Sequence, residues 1–119
     1  MSKLHKHVWH ETGECAPARG MPLDMTHLSR QTMGDKHIER EVLAMFLRQI
    51  EAVSGEIAMA GPNARRELAH ALTGAARGIG AFALADCATA LEADPSDETR
   101  VVILSKLAAE VHDFISKLP

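Results

Sequence analysis

Seven histidines are spread over the 119 residues, and His70 stands in the setting best suited to chemistry. In the stretch Glu67 to Gly80, ELAHALTGAARGIG, a turn of about 100° per residue gathers Leu68, Leu72, Ala75, Ala76 and Ile79 on one side of a helix. His70 then points about 175° from the middle of that stripe, toward solvent. Gly74 follows one turn later on the same meridian and has no side chain to cover the ring. Arg66 at i−4 and Arg77 at i+7 fall within about 40° of His70. An open imidazole with a cationic rim suits a small anion brought close to the ring.

Other chemistries find less support. The glycines of GARGIG lie within or at the end of a helix rather than after a strand, so they do not form a nucleotide-phosphate loop. Ser and Cys nucleophiles lack a base and an orienting acid at helical spacing. A metal site inside a bundle needs inward His or carboxylates on several helices, whereas the core stripes here are apolar. His5, His7, His10 and Cys15 could hold zinc or nickel loosely, but their spacing matches no closed zinc site, and no metal site is assigned. His27, His37 and His112 are expected on solvated helix faces, none with a glycine one turn beyond it.

The elements that position His70 follow from composition and period. Apolar residues make up 46% of the chain, with one Trp, three Phe and no Tyr, so the core must come from Leu, Ile, Val, Met and Ala, which favours helices. A chain of this length is one domain. The net charge of −3, with scattered Lys and Arg, argues against nucleic acid or an anionic membrane as partner. No apolar run approaches a membrane span, and the N-terminus lacks the apolar core of a secretory signal. A cytoplasmic protein with Cys15 and Cys87 reduced is expected.

Residues 1–22 have no apolar period and read as a flexible extension; residues 23–119 form the folded domain. Asp24 caps a short helix to Met33, and Gly34-Asp35 ends it and starts the next. From Lys36 to about Ala60, the residues Ile38, Val42, Met45, Phe46, Ile50, Val53 and Ile57 mark a long amphipathic helix, with Leu43 and Leu47 on its shoulder, either as part of a wider core, the favoured reading, or as an edge on which a partner docks. Gly61-Pro62-Asn63 breaks the chain, with Asn63 as the next cap, and the His70 helix follows. A further helix runs from Ala81 to Ala93 with Leu84, Ala88 and Leu91 inward. Asp97 and Glu98 open a last helix carrying Val101, Leu104, Ala108, Val111, Ile115 and Leu118 at bundle spacing. The expected fold is all-α: an antiparallel up-down four-helix bundle with a short preceding N-terminal helix.

The segment AHALTGAARGIGAFALADCATALE resembles the histidine phosphotransfer family, whose motif is a His, a Lys three residues on that precedes a Gly, small residues, then an apolar residue and Gly. The upstream MGDKHIEREVLAMF resembles that family's entry into its first long helix, and the likeness extends over roughly residues 23–119. The resemblance implies a cytoplasmic phosphorelay intermediate that accepts a phosphoryl group on His70 from a receiver-domain aspartate and passes it to another receiver. The ring nitrogen distal to the backbone would carry it, and Gly74 would let the receiver approach. Receiver domains and a hybrid sensor histidine kinase are the implied partners, and a monomer is expected. The chain would have no cofactor and no ATP-dependent kinase activity of its own, Mg²⁺ coming with the receiver. Where the family has Lys, this chain has Thr73; Arg77 and Arg66, with Thr73, are assigned to stabilising the phosphoryl group. Attack needs an unprotonated ring, so acceptance is expected to rise with pH through the range in which imidazoles titrate. The alternative is a docking or inhibitory module for a receiver or kinase that carries no phosphate.

Overall fold

The computed structural model describes residues 14–18 and 20–119. Among them there are five helices and no strand: α1 (Met25–Gln31), α2 (Lys36–Met59), α3 (Pro62–Ile79), α4 (Phe82–Ala93) and α5 (Glu98–Ser116). Helix α3 packs most extensively on α4; α2 packs on α3 and α5, α4 on α5, and α1 on α3. No described helix is long and apolar enough to cross a membrane.

Three helices start on the expected aspartates. The carboxylates of Asp24, Asp35 and Asp97 each accept from backbone N–H groups of the first turn, which satisfies donors the helix cannot. Helix α3 starts differently from expectation: Gly61 is its N-cap, Pro62 its first residue, and no side chain caps it. Proline fits that place because its fixed φ is already helical and its missing N–H would have had no partner, so Asn63 falls inside the first turn. At the other end Gly80 is left-handed, with φ of 93°, and its N–H bonds back to the carbonyls of Ala76 and Arg77. Its own carbonyl accepts from the Asp24 N–H at 2.9 Å, and a Cβ placed on it would come within 2.9 Å of the Asp24 carbonyl oxygen. A glycine is needed here both for the turn and for the close approach of the segment entering α1.

The buried face of α2 is Leu43, Phe46, Ile50, Val53 and Ile57, with Glu39 at its start. Leu43 therefore belongs to the core and Leu47 is partly buried against it, while Ile38 and Met45 are exposed. The buried stripe is turned by about 40° from the expected one, toward the Leu43–Ile50–Ile57 line, on a helix that packs against both α3 and α5. Helix α4 buries Leu84, Ala88 and Leu91 as expected, with Ala85, Cys87 and Ala90 beside them. Helix α5 buries Val101, Leu104, Ala108, Val111 and Ile115, with Leu107 in addition and Leu118 only partly covered.

Arg65 is buried in α3, 5% exposed, at a place where no charge was expected. Its guanidinium donates to the carbonyls of Ile57 and Ala58 at the end of α2, to that of Pro95 before α5, and to the Glu98 carboxylate at the start of α5. Five N–H donors on one planar group allow this, and they satisfy carbonyls that the last turn of α2 leaves open. One side chain thus joins three helices at the end of the molecule where α3 begins.

The expectation of reduced thiols is overturned: Cys15 and Cys87 form a disulfide across 72 residues. Neighbouring sequence could not show this, since the pairing depends on how the chain before α1 returns to α4. The bond also means that the extension is not loose throughout residues 1–22. Cys15 packs against the core, and Leu23 is fully buried in it.

Candidate histidine site

Helix α3 carries His70 outward, with its side chain 76% exposed. The buried residues of α3 are Arg65, Ala69, Leu72, Thr73, Ala76 and Ile79, while Leu68 and Ala75 are only partly buried. The buried stripe is therefore turned toward the helix side that meets α4, and His70 lies about 125° from its middle rather than directly opposite. From there the ring reaches the neighbouring helix: His70 Nδ1 lies 2.8 Å from Glu92 Oε2 on α4.

This contact fixes what the ring can do. A carboxylate only accepts, so Nδ1 is the donor and carries the proton; in the neutral ring the lone pair is then on Nε2. No hydrogen bond engages Nε2 among the described residues. The site thus presents a nucleophilic nitrogen to solvent, with a carboxylate behind it to stabilise positive charge that develops on the ring. The Glu92 side chain is 30% exposed, so the pair is partly shielded on the α4 side and open on the other.

Around the ring the expected residues fall into different places. Gly74 is exposed, and a Cβ built on it would touch nothing within 4 Å, so a flat opening lies one turn beyond His70. Arg66 lies toward α4 with its Nε 3.4 Å from the Glu92 carbonyl oxygen, about 6 Å along the axis from His70. Arg77 is about 10 Å from His70 along the axis and donates to Thr89 Oγ1 at 3.4 Å. The two guanidiniums flank the site from opposite ends rather than forming one cluster. Thr73 departs most from its assigned role. It is buried, its hydroxyl donates to the Ala69 carbonyl at 2.9 Å, and its Oγ1 lies 3.4 Å from Thr89 Oγ1. Three residues beyond His70, the side chain turns into the α3–α4 contact, and its proton is already committed.

No family model, curated protein or solved structure matches this chain.

His27, His37 and His112 each make their closest side-chain contact through Nε2, to Gln31, Glu41 and Glu51 respectively. His27 also meets the edge of Phe82, with centroids 5.1 Å apart, and His112 joins α5 to α2. His27 and His112 are half-buried rather than solvated, and His37 is exposed. His70 combines a carboxylate on Nδ1 with an open Nε2, and the other three described histidines do not. His5, His7 and His10 of the proposed metal-binding tail lie outside the described residues, while Cys15 is committed to its disulfide. Among the described residues no group of three or more His, Cys, Asp or Glu is arranged to hold a metal.

Glu92 is the site residue that sequence reasoning missed. A signal for it exists: α3 and α4 are joined through Gly80 and Ala81 alone, so they double back on each other. Thr73 meets Thr89 and His70 meets Glu92, so three residues back along α3 correspond to three forward along α4. That register, counted outward from Ala81, would have placed a carboxylate opposite the histidine.

Proposed function

We propose that the chain is a phosphocarrier of the histidine phosphotransfer kind, with His70 as the acceptor and the helices arranged as an up-down four-helix bundle behind a short first helix. The observation that carries this reading is the His70–Glu92 contact, which directs the lone pair to the exposed Nε2. In the transfer, Nε2 attacks the phosphorus of an aspartyl phosphate on a receiver domain. The N–P bond forms as the P–O bond to the aspartate breaks, and the aspartate leaves as a carboxylate. The ring keeps its Nδ1 proton and becomes cationic, a charge that Glu92 faces directly. The reverse step delivers the phosphoryl group to a second receiver. Positioning and electrostatics dominate phosphoryl transfer, so a small scaffold with one oriented imidazole is sufficient, the receiver supplying Mg²⁺. Gly74 gives the partner room, and Arg66 is the nearer of the two cations; Arg77 is better placed to meet an anionic group on the partner. A hybrid sensor histidine kinase fits as the upstream source, and the chain needs no ATP site of its own.

The test is transfer from a phosphorylated receiver, read as an acid-labile, base-stable label on this chain, with His70→Gln alongside. A label that His70→Gln abolishes supports the carrier; a label that persists in that variant refutes it. Thr73 favours a second reading. With no cation at the position and its hydroxyl committed to Ala69, the chain would serve as a docking module that binds a receiver without carrying phosphate. Binding that is insensitive to His70→Gln, with no label on the wild type, would favour that reading.

A further inference from the structure

The Cys15–Cys87 bond lies apart from the His70 site and has the features of a contact that can open without disturbing the helices. Cys87 is fully buried on α4, whereas Cys15 is half-buried in a segment without helix, so a thiolate can reach the bond from the Cys15 side. Each sulfur also faces a backbone carbonyl. Cys15 Sγ is 3.5 Å from the Cys87 oxygen, and Cys87 Sγ is 3.7 Å from the Arg100 oxygen. After reduction both S–H groups would have an acceptor already in place, a weak interaction that leaves no polar group stranded. The fully buried core is built from residue 23 onward, with Cys15 only packed against it. Between the segment that precedes α1 and the start of α4 lies a groove of about 410 Å³, lined by Ala16, Pro17, Met21, Phe82 and Ala83 among others.

We propose that Cys15–Cys87 is a reversible redox strap, closed by oxidation and opened by a dithiol reductant, which ties the segment before α1 to α4. In the opening step a reductant thiolate attacks Cys15 Sγ, and Cys87 leaves as a thiolate and takes up a proton. The second reductant thiol then attacks the mixed disulfide and releases Cys15. Two electrons and two protons pass to the pair, and the reductant becomes a disulfide. The segment before α1 is then free to leave α4, and the covered part of the first turn of α4, where Phe82 is already exposed and Ala83 half-buried, opens to solvent. This inference does not depend on the phosphocarrier reading.

The 119-residue chain, purified without reductant, is examined before and after native treatment with dithiothreitol, by alkylation with iodoacetamide, hydrogen–deuterium exchange and circular dichroism. The expected result is no reactive thiol before treatment. After it, Cys15 should alkylate at least about tenfold faster than Cys87, as exposure controls thiol access. Exchange should rise within residues 14–24 and 82–86, with helix content unchanged. Cys15→Ser should show the same exchange pattern without reductant. Two free thiols in the untreated chain, a bond that resists dithiothreitol until the helices unfold, or loss of helix on reduction would each overturn the proposal.

Discussion

On the phosphocarrier reading, replacing Glu92 by Gln isolates the contribution of its charge to phosphoryl acceptance. The amide keeps an oxygen that can accept from His70 Nδ1, so the ring can hold its orientation, but the negative charge is gone. As the N–P bond forms, the ring becomes cationic with the Glu92 oxygen 2.8 Å from Nδ1. Taking the charge centres as about 4 Å apart, the attraction is about 1 kcal/mol in bulk water and about 4 kcal/mol at an effective dielectric of about 20. His70 is 76% exposed and Glu92 30%, which places the pair toward the watery end of that range. A loss of about 1–2 kcal/mol is expected, or a transfer rate lower by roughly 5- to 30-fold. Glu92→Ala also removes the acceptor and should fall further. The assay is single-turnover transfer from a phosphorylated receiver at about pH 8, above the usual imidazole range, with helix content checked by circular dichroism. Rates within about twofold of wild type for both variants would refute the assigned role of Glu92.

Three further outcomes follow from the same geometry. Arg65→Met removes a buried guanidinium that serves three carbonyls and Glu98, and should cost about 2–4 kcal/mol in urea denaturation without touching the His70 face. The glycines should separate: Gly80→Ala, forced to a positive φ and against Asp24, should lose about 1–3 kcal/mol, whereas Gly74→Ala, with open space around it, should gain about 0.5–1 kcal/mol. If Gly74 marks the partner's approach, the Ala variant will be more stable yet slower in transfer. Reducing the disulfide should lower stability by about 2–4 kcal/mol through the added entropy of the unfolded chain, seen as a lower urea midpoint for the chain in dithiothreitol or for Cys15→Ser.

The helices were legible because their signals are local. Asp24, Asp35 and Asp97 stand where helix starts were expected, and Leu84, Ala88 and Leu91 of α4 and Val101, Leu104, Ala108, Val111 and Ile115 of α5 follow from spacing alone. What periodicity could not supply was the angle at which a helix meets its neighbours. On α2 that angle moved Leu43 inward and Ile38 outward; on α3 it buried Ala69 and Thr73 and brought His70 beside α4. Arg65 was illegible for another reason: a charge at an apolar position reads as exposed unless the carbonyls waiting for it are known, and these lie at the end of α2 and in the loop before α5. Glu92 and the Cys15–Cys87 pair are contacts between distant residues and become visible only once the chain is folded.

In the proposed carrier, the imidazole and the carboxylate that aims it belong to different helices, so the site is divided across a joint. A peptide containing α3 alone would keep the histidine but lose the preference for one tautomer, its two nitrogens being equally open to water. Reactivity is therefore a property of the docked pair rather than of the residue. Whatever loosens α4 from α3, whether heat, denaturant or a poorly packed substitution in the small-residue contact between them, should dull the nucleophile before the chain unfolds. The same joint offers a route for natural variation, since moving the carboxylate by one turn of α4 would silence the histidine without altering it.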